Sequence, residues 1–542
     1  MNAFEDIQGR LAAPAQLLPP GAQQPINVVN RKPELILPSD HTHFIECAEQ
    51  CFSDLAETKK FFRQGSLIVE LVESSEGPKL EELSIEAFRS RLETYFTLRS
   101  YVMHDGELVL RQKLCSQDRA KGLLATEAAH KYLPTIQAVV NSPVFAETKE
   151  GKLTVLNQGY HSCHGGIYVL RKREIDTGIP IDKAVEALLA IVGDFSFLSG
   201  SDKSRCVAGF ISPALRFGRL LDADFPLDLC EADQSQTGKT FRMKLISLLY
   251  GERPFVVVLP SESKKGVGSF DESLSEALLS GAPFIALDNL RGEISNQLLE
   301  SALRGEGKVA VRRSYSRTTQ IETDHVYWMA TSNKAQTTPD LANRSIITRL
   351  RKRPWNFQFR QYEGADLLTH IEKDSDHYLS CVFAVIREWH RRGKRRTDET
   401  AHDFREWSQT LDWIVRNIFE LPALLDGHRD EQLRISSPGL SFLRDVALVV
   451  ETMGDCGKDL NATDIAVLCD TANINIPGSA PGIEIDKASR RIGSIFAPLF
   501  KASDKIMVEG FEVTRTTQPR KLADRGEFRD TRFYSFKRTA LN

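Results

Sequence analysis

At 542 residues the chain is too long for one core and is expected to divide into about two to four domains. With 41% hydrophobic and 26% charged residues it has the composition of a folded globular protein, and a net charge of −3 leaves any nucleic-acid contact to local basic patches. No apolar run reaches the roughly eighteen residues a membrane helix needs, and no basic-then-apolar leader opens the chain, so a cytoplasmic protein with no membrane partner is expected.

In chain order, residues 1–30 are rich in Ala, Pro and Gln and read as a flexible tail. Residues 31–202 mix amphipathic helices (Ile85–Phe96, Lys183–Val192) with strand-like pieces (Leu67–Val72, Leu108–Arg111, Gly166–Leu170), an α+β region suited to a collar or to partner binding. A helix near Val207–Arg219 leads into residues 203–360. There Leu227–Cys230, Phe255–Leu259, Phe284–Leu287, Val326–Thr331 and Ser345–Leu350 alternate with helical segments, the pattern of a parallel sheet with helices packed on it. Residues 361–430 are helical, a lid or linker, and residues 431–542 form a small domain of helices ending in a β-hairpin. The expected fold class is therefore multidomain α/β.

The nine cysteines are scattered singly, which fits reduced thiols rather than a disulfide framework. His41, His43, Cys47 and Cys51, and separately His161, Cys163 and His164, lack the tight paired spacing of structural zinc sites. Cys47 and Cys51, four residues apart, fit the buried face of a helix.

The segment Glu231–Thr240 ends in Gln236-Thr237-Gly238-Lys239-Thr240, between an apolar strand and the amphipathic helix Phe241–Tyr250. A loop in that setting holds phosphate oxygens on backbone N–H groups and on the positive end of the helix. Lys239 is placed to reach β and γ phosphates, and Thr240 to complete a Mg²⁺ shell. Asp233 stands where the usual first glycine would be, and a lone Gly-Lys-Thr is also an exposed turn with a capping threonine. Two further strand ends weigh against that bland alternative. Phe284–Asn289 is an apolar run ending in Asp288, a second Mg²⁺ ligand acting through water. Val326–Asn333 is another, ending in Asn333, whose amide can orient an attacking water.

On these residues the region from about Leu220 to Arg353 resembles the compact core of AAA+ ATPases, and most of all superfamily-3 helicases and related replication ATPases of phages, plasmids and genomic islands. The resemblance implies ATP and Mg²⁺ as cofactors, with Walker A at Gly238-Lys239-Thr240, Walker B at Asp288 and sensor 1 at Asn333. It also implies that an arginine after the sensor strand completes a neighbour's site. Arg344 is the first candidate and Arg349 the second, and a solvated basic turn is the alternative for both. Many relatives carry an acid beside the Walker B aspartate, whereas this chain has Asn289. The base is then Asp288, Glu272 or Glu276, or is absent.

Nucleic acid has two candidate surfaces. Lys308–Arg312 and Thr318–Thr323 alternate around a polar turn, a β-hairpin carrying Lys308, Arg312, Arg313, Tyr315 and Arg317. Arginines neutralise phosphates and a tyrosine ring stacks on a base, and in the resembling helicases a hairpin here projects into a central channel. Near the C-terminus, Thr463 caps a helix, Asp486–Phe496 is a helix with Arg490 and Arg491, and Ile506–Thr514 and Arg532–Lys537 are strands, the layout of a winged helix. Such domains also bind proteins. The basic run Arg387–Arg396 reads chiefly as a solvated face.

The expected function is an ATP-driven DNA helicase or replication initiator of a mobile element, acting as a ring, a hexamer, with replication proteins as possible partners. The rivals are a regulatory or defence ATPase that does not unwind DNA, and a DNA-binding scaffold with a vestigial nucleotide site.

Overall fold

A computed structural model describes residues 32–542, apart from 75–76, 233, 258–268, 291–292, 305–307, 313–317, 334, 363–365, 437, 480–481, 502, 509, 522–527 and 540–542. The chain forms two compact units, one made of Met1–Asp54 and Ser84–Tyr132, the other of Leu55–Leu83 and Leu133–Asn542. In the first, strand Thr97–His104 pairs parallel with Glu34–Ile36 and antiparallel with Glu107–Gln112. Helix Ile85–Tyr95 starts where the Ser84 hydroxyl accepts from Ala87 N–H, and its Phe88 stacks on Phe52 at 5.8 Å.

The second unit is built on a six-stranded sheet. Its strands and helices, in chain order, are β1 (Ser196–Phe197), α1 (Gly200–Phe217), β2 (Leu227–Ala232), α2 (Lys239–Leu249), β3 (Phe255–Val257), α3 (Phe270–Leu279), β4 (Phe284–Leu290), β5 (Lys308–Val311), β6 (Thr319–Glu322), β7 (Tyr327–Ser332) and β8 (Ser345–Arg351). The sheet order is β1-β8-β2-β7-β4-β3, with every pairing parallel except β1 on the edge of β8. Side chains alternate between its faces. Phe284, Ala286, Tyr327, Met329 and Ile346 enter one core, and Ile285, Leu287, Trp328, Ala330 and Ile347 enter the other. Burial on both faces is what turns these strands into nearly unbroken apolar runs. The boundary expected at residue 202 falls inside α1.

Inside this unit Arg242 of α2 makes a bidentate ion pair with Asp228 of β2 at 2.8 and 2.9 Å, and Tyr327 donates to the same carboxylate at 2.9 Å. Burial opposes the Arg242 charge, yet the Asp228 carboxylate more than offsets it and holds that pKa above its usual value. The pair ties the helix that follows the candidate phosphate loop to the strand that precedes it.

Helices Leu367–Lys373, Ser375–Arg391 and Arg405–Asn417 fill the expected helical region, then α4 (His428–Ser436) packs on β8. The C-terminal part has its own core around Phe442, Ile492, Phe496 and Tyr534. Helices Pro438–Thr452, Ala462–Thr471 and Ile485–Leu499 pack there against an antiparallel sheet. Its strands run in the order Asp459–Asn461, Phe528–Arg538, Phe511–Lys521, Lys505–Val508. Two expectations are corrected here. The helix cap is Asn461, not Thr463: the Asn461 side chain accepts from Thr463 and Asp464 N–H, and Asp464 returns the bond. Ile506–Thr514 is a hairpin rather than one strand, since Gly510 turns the chain at φ 76°. No described helix is long and apolar enough to cross a membrane.

Candidate functional site

The loop from β2 to α2 leaves the middle of the parallel sheet, where β8 and β7 flank β2 and the connections diverge, the position at which open α/β sheets bind ligands. Its turn needs left-handed backbone at two residues, Gln236 with φ 60° and Gly238 with φ 95°. The positive φ favours glycine at 238, and a Cβ there would also press on the Phe195 ring at 3.1 Å. Gly238 is the N-cap of α2 and brings no side chain to its first N–H groups, which leaves the helix's positive end facing the loop.

Four predicted residues converge here. Lys239 Nζ donates to Asn333 Oδ1 at 2.7 Å, to Gln234 O at 3.2 Å and to Thr237 Oγ1 at 3.3 Å. Thr240 Oγ1 donates to Asp288 Oδ1 at 3.1 Å. Asp288 lies where β4 loses register with β7, between Leu287 and Leu290, and the next residue, Asn289, turns left-handed at φ 54°. That irregularity aims the carboxylate toward the loop while the strand itself stays buried. The donor set of Thr240 hydroxyl and Asp288 carboxylate is all oxygen, which fits a hard divalent cation such as Mg²⁺.

Sequence reasoning gave Thr331 no role. Its hydroxyl bonds Asp288 Oδ1 and accepts from Asn289 N–H at 2.8 Å, so it orients the carboxylate and fixes the bulge. Two hydroxyls in succession at the end of an apolar strand, Thr331-Ser332, were the available signal. Glu231, the buried residue just before the loop, was also missed. It accepts from Ala335 N–H at 3.0 Å, beyond the Asn333 strand end, and pairs with Arg434 of α4.

Other predicted residues lie elsewhere. Arg344 is 5% exposed and committed within its own chain, donating to Glu300 O at 2.7 Å and Asp340 Oδ1 at 2.8 Å. Arg349 is buried in β8, paired with Glu431 at 3.2 Å. The alternative of a solvated basic turn fits neither: both side chains occupy hydrogen-bonded interior positions.

The hairpin is present as β5 and β6, in register from Lys308↔Glu322 to Val311↔Thr319. Val309, Val311 and Ile321 face the core, whereas Lys308 and Arg312 are exposed. Arg313, Tyr315 and Arg317 lie outside the described residues. Next to its turn, the hairpin is fastened to the turn between strands Phe61–Gln64 and Leu67–Ser74, where Ser66 N–H donates to Thr319 Oγ1 at 3.1 Å and the two hydroxyls meet at 2.9 Å. Gly65, at φ 60° in that turn, lies so close that a Cβ would come 2.3 Å from the Gln320 carbonyl. Arg490 and Arg491 are exposed on helix Ile485–Leu499, with Arg491 Nε bonded to Pro477 O at 2.8 Å. In the basic run, Glu388 holds Arg391 and Arg392 at 2.7 and 2.6 Å, and Lys394 holds Glu147 at 2.6 Å. The Arg391 bond outweighs partial burial and, with Arg392, lowers the Glu388 pKa to about 2.

No family model matches the chain, and no curated protein matches it. Similar solved structures include the A form apo structure of the NrS-1 C-terminal region, 10% identical with a TM-score of 0.31 over 89% of this chain and 98% of that one. Another is SCCmec type IV Cch, titled an active helicase, 11% identical with a TM-score of 0.28 over 87% of this chain and 91% of that one. Likeness at this level is too faint to carry either fold or activity.

Proposed function

We propose that this chain is an ATP-driven DNA helicase or replication initiator of a mobile genetic element, with an AAA+-like core and a winged-helix-like C-terminal domain, working as an oligomeric ring. The observation that carries the reading is the convergence of Lys239, Thr240, Asp288 and Asn333 at the carboxyl ends of β2, β4 and β7. On this reading the loop amides, including those of Gln236 and Thr237, and the start of α2 hold phosphate oxygens, and Lys239 balances their charge. Thr240 and Asp288 hold Mg²⁺, which when bound neutralises charge on the phosphates. Asn333 orients the attacking water. Asp288 already accepts from two hydroxyls, which suits a metal-holding carboxylate better than a base. Lys308 and Arg312 contact DNA from the hairpin, and Arg490 and Arg491 contact it from the C-terminal domain. Arg344 completes a neighbouring site only on release from Glu300 and Asp340. A regulatory ATPase that does not unwind DNA is the second reading, favoured by Asn289, whose N–H is committed to Thr331.

The test is ATP turnover with and without single-stranded DNA, comparing the natural chain with the Lys308→Ala/Arg312→Ala double variant. DNA-stimulated turnover is expected, with the stimulation ratio falling toward one in the variant. Turnover indifferent to DNA would move the reading to the regulatory ATPase, and no turnover at all would leave a scaffold. Thr331→Val keeps the strand's shape but removes the hydroxyl that orients Asp288. It is expected to raise the Mg²⁺ needed for half-maximal turnover by roughly 10–100-fold, read from a Mg²⁺ titration.

A further inference from the structure

From the last residue of β8 the chain reads Arg351-Lys352-Arg353-Pro354-Trp355-Asn356-Phe357-Gln358-Phe359-Arg360, four cations and three aromatic rings with no acid among them. Trp355 is 98% exposed and Phe359 65% exposed, and Arg351, Lys352 and Arg360 also face solvent. Single exposed apolar side chains are ordinary, but two large rings within one all-positive turn are not.

The turn is built rather than slack. Phe357 N–H donates to Pro354 O at 3.0 Å, closing a tight turn that carries Trp355 outward. The Arg353 guanidinium lies 4.2 Å over the Phe357 ring and donates to three successive carbonyls, Gly193 at 3.2 Å, Asp194 at 3.1 Å and Phe195 at 2.8 Å. Arg360 N–H donates to the Asp194 carboxylate at 2.9 Å, fixing the far end. Phe357 meets Phe359 edge to face at 5.1 Å. A segment held at both ends could have folded its tryptophan inward, yet it presents the ring to water.

We infer that residues 351–360 form a second contact for single-stranded DNA, with Trp355 and Phe359 stacking on bases while Arg351 and Lys352 neutralise phosphates. Single strands alone offer π-faces and negative charges along one backbone, which matches a turn that interleaves rings with cations. The choice of DNA rests on the function proposed above. The anchor gives the contact a mechanical route to the nucleotide site. Residues 193–195 are the same ones whose Phe195 ring packs against Gly238 of the phosphate loop.

The test uses the full chain without nucleotide and a fluorescein-labelled oligo-dT of about twenty residues, read by anisotropy. Trp355→Ala is expected to weaken binding about tenfold, Arg351→Glu/Lys352→Glu by at least as much, and Trp355→Phe to retain most of it. Of the five tryptophans only Trp355 is exposed, the other four being buried, so the oligonucleotide should also shield most of the acrylamide-quenchable emission. Unchanged oligo-dT affinity in Trp355→Ala, with no shielding in the natural chain, overturns the inference. So does a Trp355→Ala variant that binds normally but sediments as a smaller species, which would make this face an interface between copies. Because no ATP is present, a chain that never hydrolyses ATP yet binds through Trp355 would sink the motor reading and leave this contact standing.

Discussion

Lys239→Ala is expected to lower kcat for ATP hydrolysis by about 10²–10³-fold, the loss typical of removing one preorganised group that meets developing charge. The ammonium is held by three oxygens, those of Gln234, Thr237 and Asn333, so it is positioned before any phosphate arrives. Alanine at 239 removes the charge and leaves Asn333 without that donor. Asn333→Ala does the converse: it frees the ammonium from its shortest bond and removes the amide assigned to water. Residues that act as a unit give non-additive losses. The double variant should therefore be no slower than Lys239→Ala alone. Steady-state turnover at saturating ATP, with binding of a fluorescent ATP analogue measured separately, checks this. Fully multiplicative losses would show two independent roles and remove Asn333 from the lysine's site.

What was legible in the sequence was local. The strands of the central sheet announced themselves because both faces are buried, so Phe284–Leu287 and Val326–Thr331 had to be apolar throughout. Gly238-Lys239-Thr240 was legible because the turn geometry restricts residue type. The alternation of Lys308–Arg312 gave the hairpin its core face and its exposed face. Thr331 was only half legible: the pair Thr331-Ser332 marks the end of an apolar strand, but nothing local says that Thr331 meets Asp288 while Ser332 turns to the Leu290 carbonyl. The cap at Asn461 was misassigned because Asn and Thr both serve as caps, and only the reciprocal bond from Asp464 decides between them. Arg344 could not be placed from sequence at all: a basic residue after a short helix reads as surface until Glu300 is known to lie beside it. The ion pair of Glu231 and Arg434, separated by 203 positions, has no local signature either.

That pair supplies the largest expected effect on stability. Arg434 of α4 bonds Glu231 at the stem of the candidate phosphate loop and Glu431 at 2.9 Å, and Glu431 in turn holds Arg349 of β8. All four side chains are largely or wholly buried. Removing one partner of a buried pair leaves its counter-charge uncompensated, so Arg434→Ala is expected to cost about 3–5 kcal/mol. Replacing both partners is a different experiment. Arg434→Met with Glu231→Gln removes both charges of that pair while keeping an oxygen for Ala335 N–H, and should restore part of the loss, the rest lying with Glu431, which then keeps Arg349. The pH dependence carries a sign. Burial raises the Glu431 pKa, but Arg434 and Arg349 more than offset it and hold the folded value below the usual one. A depressed carboxylate contributes stability that is present above the unfolded pKa of about 4.3 and is lost as pH falls through the folded value. The gap between the natural chain and Arg434→Ala should therefore be widest near neutral pH and narrow below about 4.3. Urea midpoints followed by fluorescence at pH 7 and pH 3 read that gap directly. Equal gaps at both pH values would mean that Arg434 acts through packing of its stem rather than through charge. In that case the double replacement should fail to rescue as well.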